Sequence, residues 1–335
     1  MDIITGWDSE IDHNEGSAKV PTRISYSKYG NISSWGFDHD AQDRQLSWFK
    51  LLLCEETKKR AASQRAFLDK LEGDMKSLDK SAVDVAADYL HRLWGHATAT
   101  LKSRFGEAFY EDLQIKLVLT IPAIWDHQAQ EMTKAAARKA GMMNRSNMKL
   151  ELVSEPEAAA RYVFSENLSL KVGDAFVVCD AGGGTIDLIS YKVEKLNPLR
   201  LKMCSEATGD LYGAIFLDNA FERTVKAHIG ADVYDSLSVR NKKKMMGDWE
   251  HGIKRTFKHG QRADKDWVVD IPGYSGIPSS PPPYSPVSST SSRSSAIFLT
   301  PQSTGSTISS MRALSVSGRR GGSGGAEPGI INLKT

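Results

Sequence analysis

The sequence predicts an α/β fold of about two domains followed by a disordered tail, and three observations carry that reading. Short apolar runs such as Leu117-Val118-Leu119-Thr120-Ile121 and Leu150-Glu151-Leu152-Val153 alternate with segments of helical period. Strands separated by a helix-length connection form a parallel βαβ unit. After about Asp270 the composition turns to Ser, Pro and Gly, as in Ser279-Ser280-Pro281-Pro282-Pro283 and Arg319-Arg320-Gly321-Gly322-Ser323. Such a tract cannot bury enough apolar surface to offset chain entropy. At about 150 residues per domain, the 335 residues suggest two domains. A disordered tail is expected over 271–335.

Each element has its own signal. Ile24-Ser25-Tyr26 and Ile32–Phe37 flank Gly30-Asn31, which predicts a hairpin. Residues 42–80 are charged and read as largely helical. Ser81 is a candidate cap for a helix to about Arg104, whose Ala86, Leu90, Leu93, Ala97 and Leu101 recur at spacings of three and four. His91 and His96 on that helix read as satisfied or solvated histidines rather than ligands. Pro122 ends the strand over 117–121, Asp126 caps a helix over 127–140, and Gly141 stops it. Pro156 suits the first turn of a helix after the second strand, because an N–H there has no partner to lose. A hairpin follows, with strands over 175–179 and 186–193. The chain is helical again over 211–257, where Phe216, Ala220, Phe221 and Val225 share one face and Trp249, Ile253 and Phe257 another.

Composition narrows the function classes. Hydrophobic residues at 40% and charged residues at 25% fit an ordinary globular protein. A net charge of +2 argues against nucleic acid or an anionic membrane as partner. Cys54, Cys179 and Cys204 form no CxxC pair, so neither zinc nor a disulfide framework is expected. The N-terminus lacks the pattern of a signal peptide, and no apolar run approaches the roughly 18 residues of a membrane span. A cytoplasmic or nuclear location is expected.

The chemistry concentrates in Asp180-Ala181-Gly182-Gly183-Gly184-Thr185-Ile186-Asp187. Three glycines let the backbone approach a ligand and turn successive N–H groups toward an anion. Thr185 adds a hydroxyl donor. Asp180 and Asp187 flank the turn, as suits magnesium, which takes one or two carboxylates with waters and phosphate oxygens. The run is neither a GKS/T P-loop nor GxGxxG. Glu155, before Pro156, is biased to extended geometry at a strand end, where sites in α/β sheets gather.

Together these residues resemble the heat-shock protein 70 family, within the actin-like ATPase superfamily of ribonuclease H-like folds. The run 180–187 looks like that family's second phosphate motif. Leu119-Thr120-Ile121-Pro122-Ala123, Ala135-Ala136-Ala137-Arg138-Lys139-Ala140-Gly141 and Ser154-Glu155-Pro156-Glu157-Ala158-Ala159-Ala160 match its strand, helix, strand and helix in order. Asp210-Leu211-Tyr212-Gly213-Ala214 is similar to the Gly-rich segment after the hairpin, and 249–257 to the helix that touches adenosine. The likeness is strong over 115–220, weaker over 19–114 and 221–260, and closest in flavour to divergent members.

The resemblance implies two α/β lobes around a nucleotide cleft, an N-terminal lobe over 1–170 and a partial C-terminal lobe over 171–270, with ATP and Mg2+ as ligands. Asp180 and Asp187 would hold magnesium through water, and Glu155 or Asp180 would position the attacking water as catalytic residues. Gly182, Gly183, Gly184 and Thr185 would hold phosphates, Gly213 would lie near them, and Lys254 and Arg255 would flank adenosine. Lys50 is the candidate for a lysine near the γ-phosphate. Glu250 stands one residue further from Lys254 than the family spacing. Protein clients or co-chaperones are the implied partners.

Two family motifs have no counterpart. Residues 1–30 hold no Asp-Phe-Gly-Thr-Thr-like first phosphate motif, and no Gly-rich adenosine motif follows 260. Phosphoryl transfer needs charge stabilisation from several sides. The expectation is a fold incomplete at both ends, with ATPase activity weak or absent. The alternative is a non-catalytic interaction or regulatory protein, or a truncated gene product. An actin-fold small-molecule kinase would need a substrate acid in the first lobe, for which there is no candidate.

Overall fold

The computed structural model describes residues 4–7, 19–38, 43–60, 64–165, 170–257, 267–274, 296–299 and 329–333. They fall in two compact units, Met1–Ala214 with Gly318–Thr335, and Ile215–Ser317.

The first unit begins with β1 (Arg23–Tyr26), β2 (Ile32–Trp35) and β3 (Arg44–Ser47), an antiparallel sheet in the order β2-β1-β3. The expected hairpin forms, with Gly30 at φ 79 in the turn. β3 corrects the helical expectation for 42–80. Leu46 is buried beneath the sheet while Arg44 and Gln45 stay exposed, and pairing with β1 satisfies the backbone. Burial of one side chain of a short run outweighs its helical propensity. A 3-10 helix (Phe49–Leu53), α1 (Glu55–Arg60) and α2 (Arg65–Lys76) follow.

α3 (Ala82–Phe105) starts where Ser81 predicts. The Ser81 hydroxyl accepts from the Asp84 amide, and the Asp84 carboxylate accepts from the Ser81 amide at 2.8 Å. That reciprocal box satisfies two amides the first turn would otherwise leave open. The His91 ring meets the Ala140 carbonyl at 3.1 Å, and the His96 ring stacks on Trp7. Among the described residues no three His, Cys, Asp or Glu side chains gather for a metal. After α4 (Glu107–Asp112) comes the βαβ unit: β4 (Ile115–Ile121), α5 (His127–Lys139) and β5 (Met148–Ser154). The strands pair in parallel from Ile115 opposite Met148 to Ile121 opposite Ser154. Asp126 caps α5 through the Ala129 amide, and Gly141 beyond it has φ 79. Ala137, Ala140 and Met142 pack with Leu90, Trp94 and Leu117 to hold α3 and α5 together.

α6 (Glu155–Ser165) begins at the residue after β5, with Pro156 in its first turn. β6 (Ala175–Ala181), β7 (Ile186–Leu196), β8 (Leu199–Met203), β9 (Thr208–Asp210) and β12 (Gly329–Leu333) form one sheet, ordered β12-β6-β7-β8 with β9 also on β7. β12 runs parallel to β6. Ala160 of α6 shares a core with Phe176, Val178, Ile189, Tyr191 and Val193. The expected lobe boundary at 170 therefore lies inside one compact unit.

The second unit contains α7 (Ala214–Ile229), α8 (Ala231–Ser236), α9 (Val239–Gly247) and a π-helix (Asp248–Lys254). β10 (Trp267–Asp270) and β11 (Ala296–Leu299) pair antiparallel. Phe221, Val225, Met245, Trp249, Ile253 and Val269 form its core, with the Phe221 and Trp249 rings parallel at 4.6 Å. Phe257, expected on the same face as Trp249, is 44% exposed because helical structure stops at Lys254. Most of the segment read as a disordered tail lies outside the described residues. Within it, β11 and β12 are strands, since apolar and β-branched runs such as Ile330-Ile331 can satisfy an open sheet edge.

Removing the cap of the longest helix tests its share of stability. Ser81→Ala is expected to destabilise the first unit by about 1 kcal/mol, read as a lower urea midpoint with an unchanged slope. An unchanged midpoint would show that the box contributes nothing.

Candidate functional site

The turn joining β6 to β7 sits in a cleft of about 720 Å3. Its lining includes Arg23, Trp48, Lys50, Trp125, Glu155, Asp180, Gly182, Gly183, Gly184 and Thr185. The chain builds this turn by close backbone packing. The Gly182 amide donates to the Thr185 carbonyl at 2.9 Å, closing the turn. The Ala214 amide donates to the Gly182 carbonyl at 3.1 Å, and the Gly213 amide to the Gly184 carbonyl at 3.3 Å. A Cβ on Gly213 would stand 2.5 Å from the Gly183 and Gly184 backbone, so only glycine fits there. A Cβ on Gly184 would stand 2.7 Å from Leu51, and one on Gly183 3.0 Å from the Trp48 ring. The Gly183 and Gly184 amides have no acceptor among the described residues. Free amides on a glycine turn are what an anion requires.

Carboxylates gather beside the turn. Asp180 and Asp187 are direct cross-strand partners. Asp180 is 9% exposed and lines the cleft; Asp187 is 1% exposed and lies behind the lining. Burial, then the charge of Glu155, raises the Asp180 pKa, against the opposing pull of Lys50 and Lys19. Burial pushes Asp187 up to about 6; the neighbouring Thr185 hydroxyl and Ile124 amide offset only part of it, while Glu155 and Asp180 add to it. Neither Asp187 oxygen has a partner in good hydrogen-bond geometry. Two buried, orphaned oxygens beside a second carboxylate fit a hydrated cation, whose waters would supply the missing donors.

Glu155, expected as extended at a strand end, is instead the first residue of α6 directly after β5, and it forms an ion pair with Lys50 of the 3-10 helix. The Lys50 ammonium also lies 5.7 Å from the Trp125 ring centre. One cleft thus brings together Glu155, Asp180, Lys50, Gly182, Gly183, Gly184 and Thr185, from segments more than a hundred residues apart. Gly213 abuts the turn from behind. No linear pattern marks Arg23, Trp48 or Trp125 as cleft walls. Trp48 has φ 64, rare for a bulky side chain, and no one-dimensional pattern marks such a position.

Lys254 and Arg255 belong to the second unit. Lys254 pairs with Asp218 at 2.8 Å and with Glu250, and the Trp249 ring N–H donates to the same Asp218 oxygen. Burial opposes the Lys254 charge, but Asp218 and Glu250 outweigh it and raise its pKa. The Arg255 guanidinium meets Glu250 at 2.8 Å. The π-helix explains how Glu250 serves both. With the Arg255 amide bonded to the Glu250 carbonyl, five residues back, positions four and five ahead lie on the Glu250 side. The extra residue in the spacing is absorbed by the wider turn.

No family model matches the sequence. The chain is 24% identical over 286 residues to heat shock 70 kDa protein 12B of Homo sapiens, covering 68% of this chain and 41% of that protein. It is 25% identical over 212 residues to heat shock 70 kDa protein 12A of Homo sapiens, covering 48% and 31%. It is 34% identical over 165 residues to a chaperone protein HscA homolog of Paracidovorax citrulli, covering 47% and 24%. The chain therefore spans less than half the length of each of these relatives.

Two measurements follow from this geometry. The folded state holds the Asp187 proton more tightly than the unfolded chain, whose pKa is near 3.8. Stability in metal-free buffer is therefore expected to fall as pH rises from about 4 to about 6, by on the order of 2–3 kcal/mol. Urea denaturation should show that slope in the wild type and a shallower one in Asp187→Asn, where Asp180 keeps its smaller share; equal slopes would refute the assignment. Gly213→Ala is expected to destabilise by at least about 2 kcal/mol, and a near-neutral result would mean the turn relaxes freely.

Proposed function

We propose, the chain being a divergent member of the heat shock protein 70 family, that its first unit binds the phosphates of ATP on the 182–185 turn. The observation that carries this reading is the Lys50–Glu155 ion pair beside Asp180 and the glycine turn in one cleft. Free amides on Gly183 and Gly184, with the Thr185 hydroxyl, are the phosphate donors. Lys50 supplies the adjacent positive charge, and Glu155 fixes where its ammonium lies. Asp180 and Asp187 are suited to hold magnesium through its waters, as the orphaned Asp187 oxygens favour. Magnesium, when bound, supplies charge neutralisation for the phosphate oxygens. Glu155 and Asp180 are the groups placed to orient a water. Gly213 acts by letting the turn approach the segment behind it. In the second unit, Glu250 holds Lys254 and Arg255 in the arrangement proposed to flank adenosine.

Hydrolysis by this chain is proposed to be weak or absent. Among the described residues, one glycine turn lines the cleft, and its neighbours there are Trp48, Leu51 and Trp125. Backbone amides would reach a phosphoryl group from that turn alone. A nucleotide-binding regulatory role without turnover is the second reading, favoured by the Trp48 ring lying against Gly183. Chaperone clients and co-chaperones, which the relatives' names suggest, are proposed partners. Among the described residues no helix is long and apolar enough to cross a membrane. The three free cysteines favour a reducing compartment, and a cytoplasmic setting is proposed.

Isothermal titration with Mg·ATP tests the reading. Micromolar binding is expected in the wild type, weakened at least about tenfold in Lys50→Ala, with little phosphate release. Absence of any heat or thermal shift at millimolar Mg·ATP would overturn it; steady turnover would overturn the claim of weak hydrolysis.

A further inference from the structure

Resting on the phosphate reading of the turn, we propose that Arg23 recognises the terminal phosphoryl group of a nucleoside triphosphate and makes the cleft selective for triphosphate over diphosphate. Arg23 lines the same cleft as Gly182, Gly183, Gly184 and Thr185. It stands directly opposite Ser47 in the β1–β3 ladder, and the next residue, Trp48, lays its ring against Gly183. The β sheet therefore delivers a guanidinium to the wall beside the turn.

Its charge is uncommitted. The Arg23 side chain has no hydrogen-bond or ion-pair partner among the described residues, and no carboxylate acts on it. Lys50, the other cation on the lining, is held by Glu155. Partial burial without a partner disfavours the charged form, and the Arg23 pKa is lowered for that reason. An unpaired, partly desolvated guanidinium at a glycine turn with open amides is complementary to an anion carrying several oxygens. A planar fork of five donors suits phosphate oxygens bidentately, which an ammonium does not match.

Triphosphate selectivity follows from the division of donors. The amides of Gly183 and Gly184 supply one part of a polyphosphate chain. A second donor group on a different element engages a second phosphoryl group only if the chain is long enough to reach it. No sequence signal marks this residue, because Arg23 enters the cleft through strand pairing with β3.

Titrations of wild type, Arg23→Gln and Arg23→Lys with Mg·ATP, Mg·ADP and inorganic tripolyphosphate test the assignment. Arg23→Gln is expected to weaken Mg·ATP and tripolyphosphate by about tenfold or more and to leave Mg·ADP within about twofold, with Arg23→Lys in between. Matching urea midpoints confirm that the variants fold, and Arg23→Lys keeps the test open should Arg23→Gln fail to fold. If wild type binds ATP and Arg23→Gln binds it equally, or ATP and ADP weaken together, the Arg23 assignment falls and the phosphate reading stands. If wild type binds none of the three, the phosphate reading itself fails and takes Arg23 with it.

Discussion

Backbone meets backbone where Gly213 lies against the turn at 183 and 184, with no room for a single methyl group between them. That contact sets the curvature of the turn, because the Gly213 and Ala214 amides use the outward carbonyls of Gly184 and Gly182. With its carbonyls engaged behind, the turn leaves the Gly183 and Gly184 amides for the cleft. Leu51 and Trp48 pack against the same glycines, so the 3-10 helix that carries Lys50 is positioned by the turn as well. A Cβ at any of these positions would push apart the elements that make the site.

Charge is the second constraint. Burial raises the proton affinity of Asp180 and Asp187, and the charge of Glu155 adds to the effect on both. Lys50 relieves Glu155, which leaves the two aspartates undercompensated. The same logic applied in reverse to Arg23 leaves a positive group without an acid beside it. Among the described residues, the lining of one cleft carries both the acid Asp180 and the cation Arg23.

Local chemistry survived translation into structure wherever the signal was itself local. Ser81 with Asp84 and Asp126 with the Ala129 amide start their helices as read, since a cap involves residues within three positions. The hairpin strands of 175–181 and 186–196 form because alternation and glycine fix both strand and turn. The misreadings came from the opposite circumstance. Arg44-Gln45-Leu46-Ser47 looks helical in isolation and becomes a strand by docking on β1. A contact set by helix width is equally hidden: the π-turn lets Glu250 meet both Lys254 and Arg255.

The sequence by itself determined the turn, its two aspartates, the glutamate before Pro156 and the βαβ unit, because each is a short run whose backbone requirements are written in glycine, proline and capping residues. Tertiary structure alone decided that Lys50 would meet Glu155, that Asp187 would be sealed behind Asp180, and that Arg23 and Trp48 would wall the cleft. Those relations join segments far apart in the chain through strand pairing and side-chain packing. Periodicity cannot report them, since it measures which face a residue occupies and not what lies across from that face.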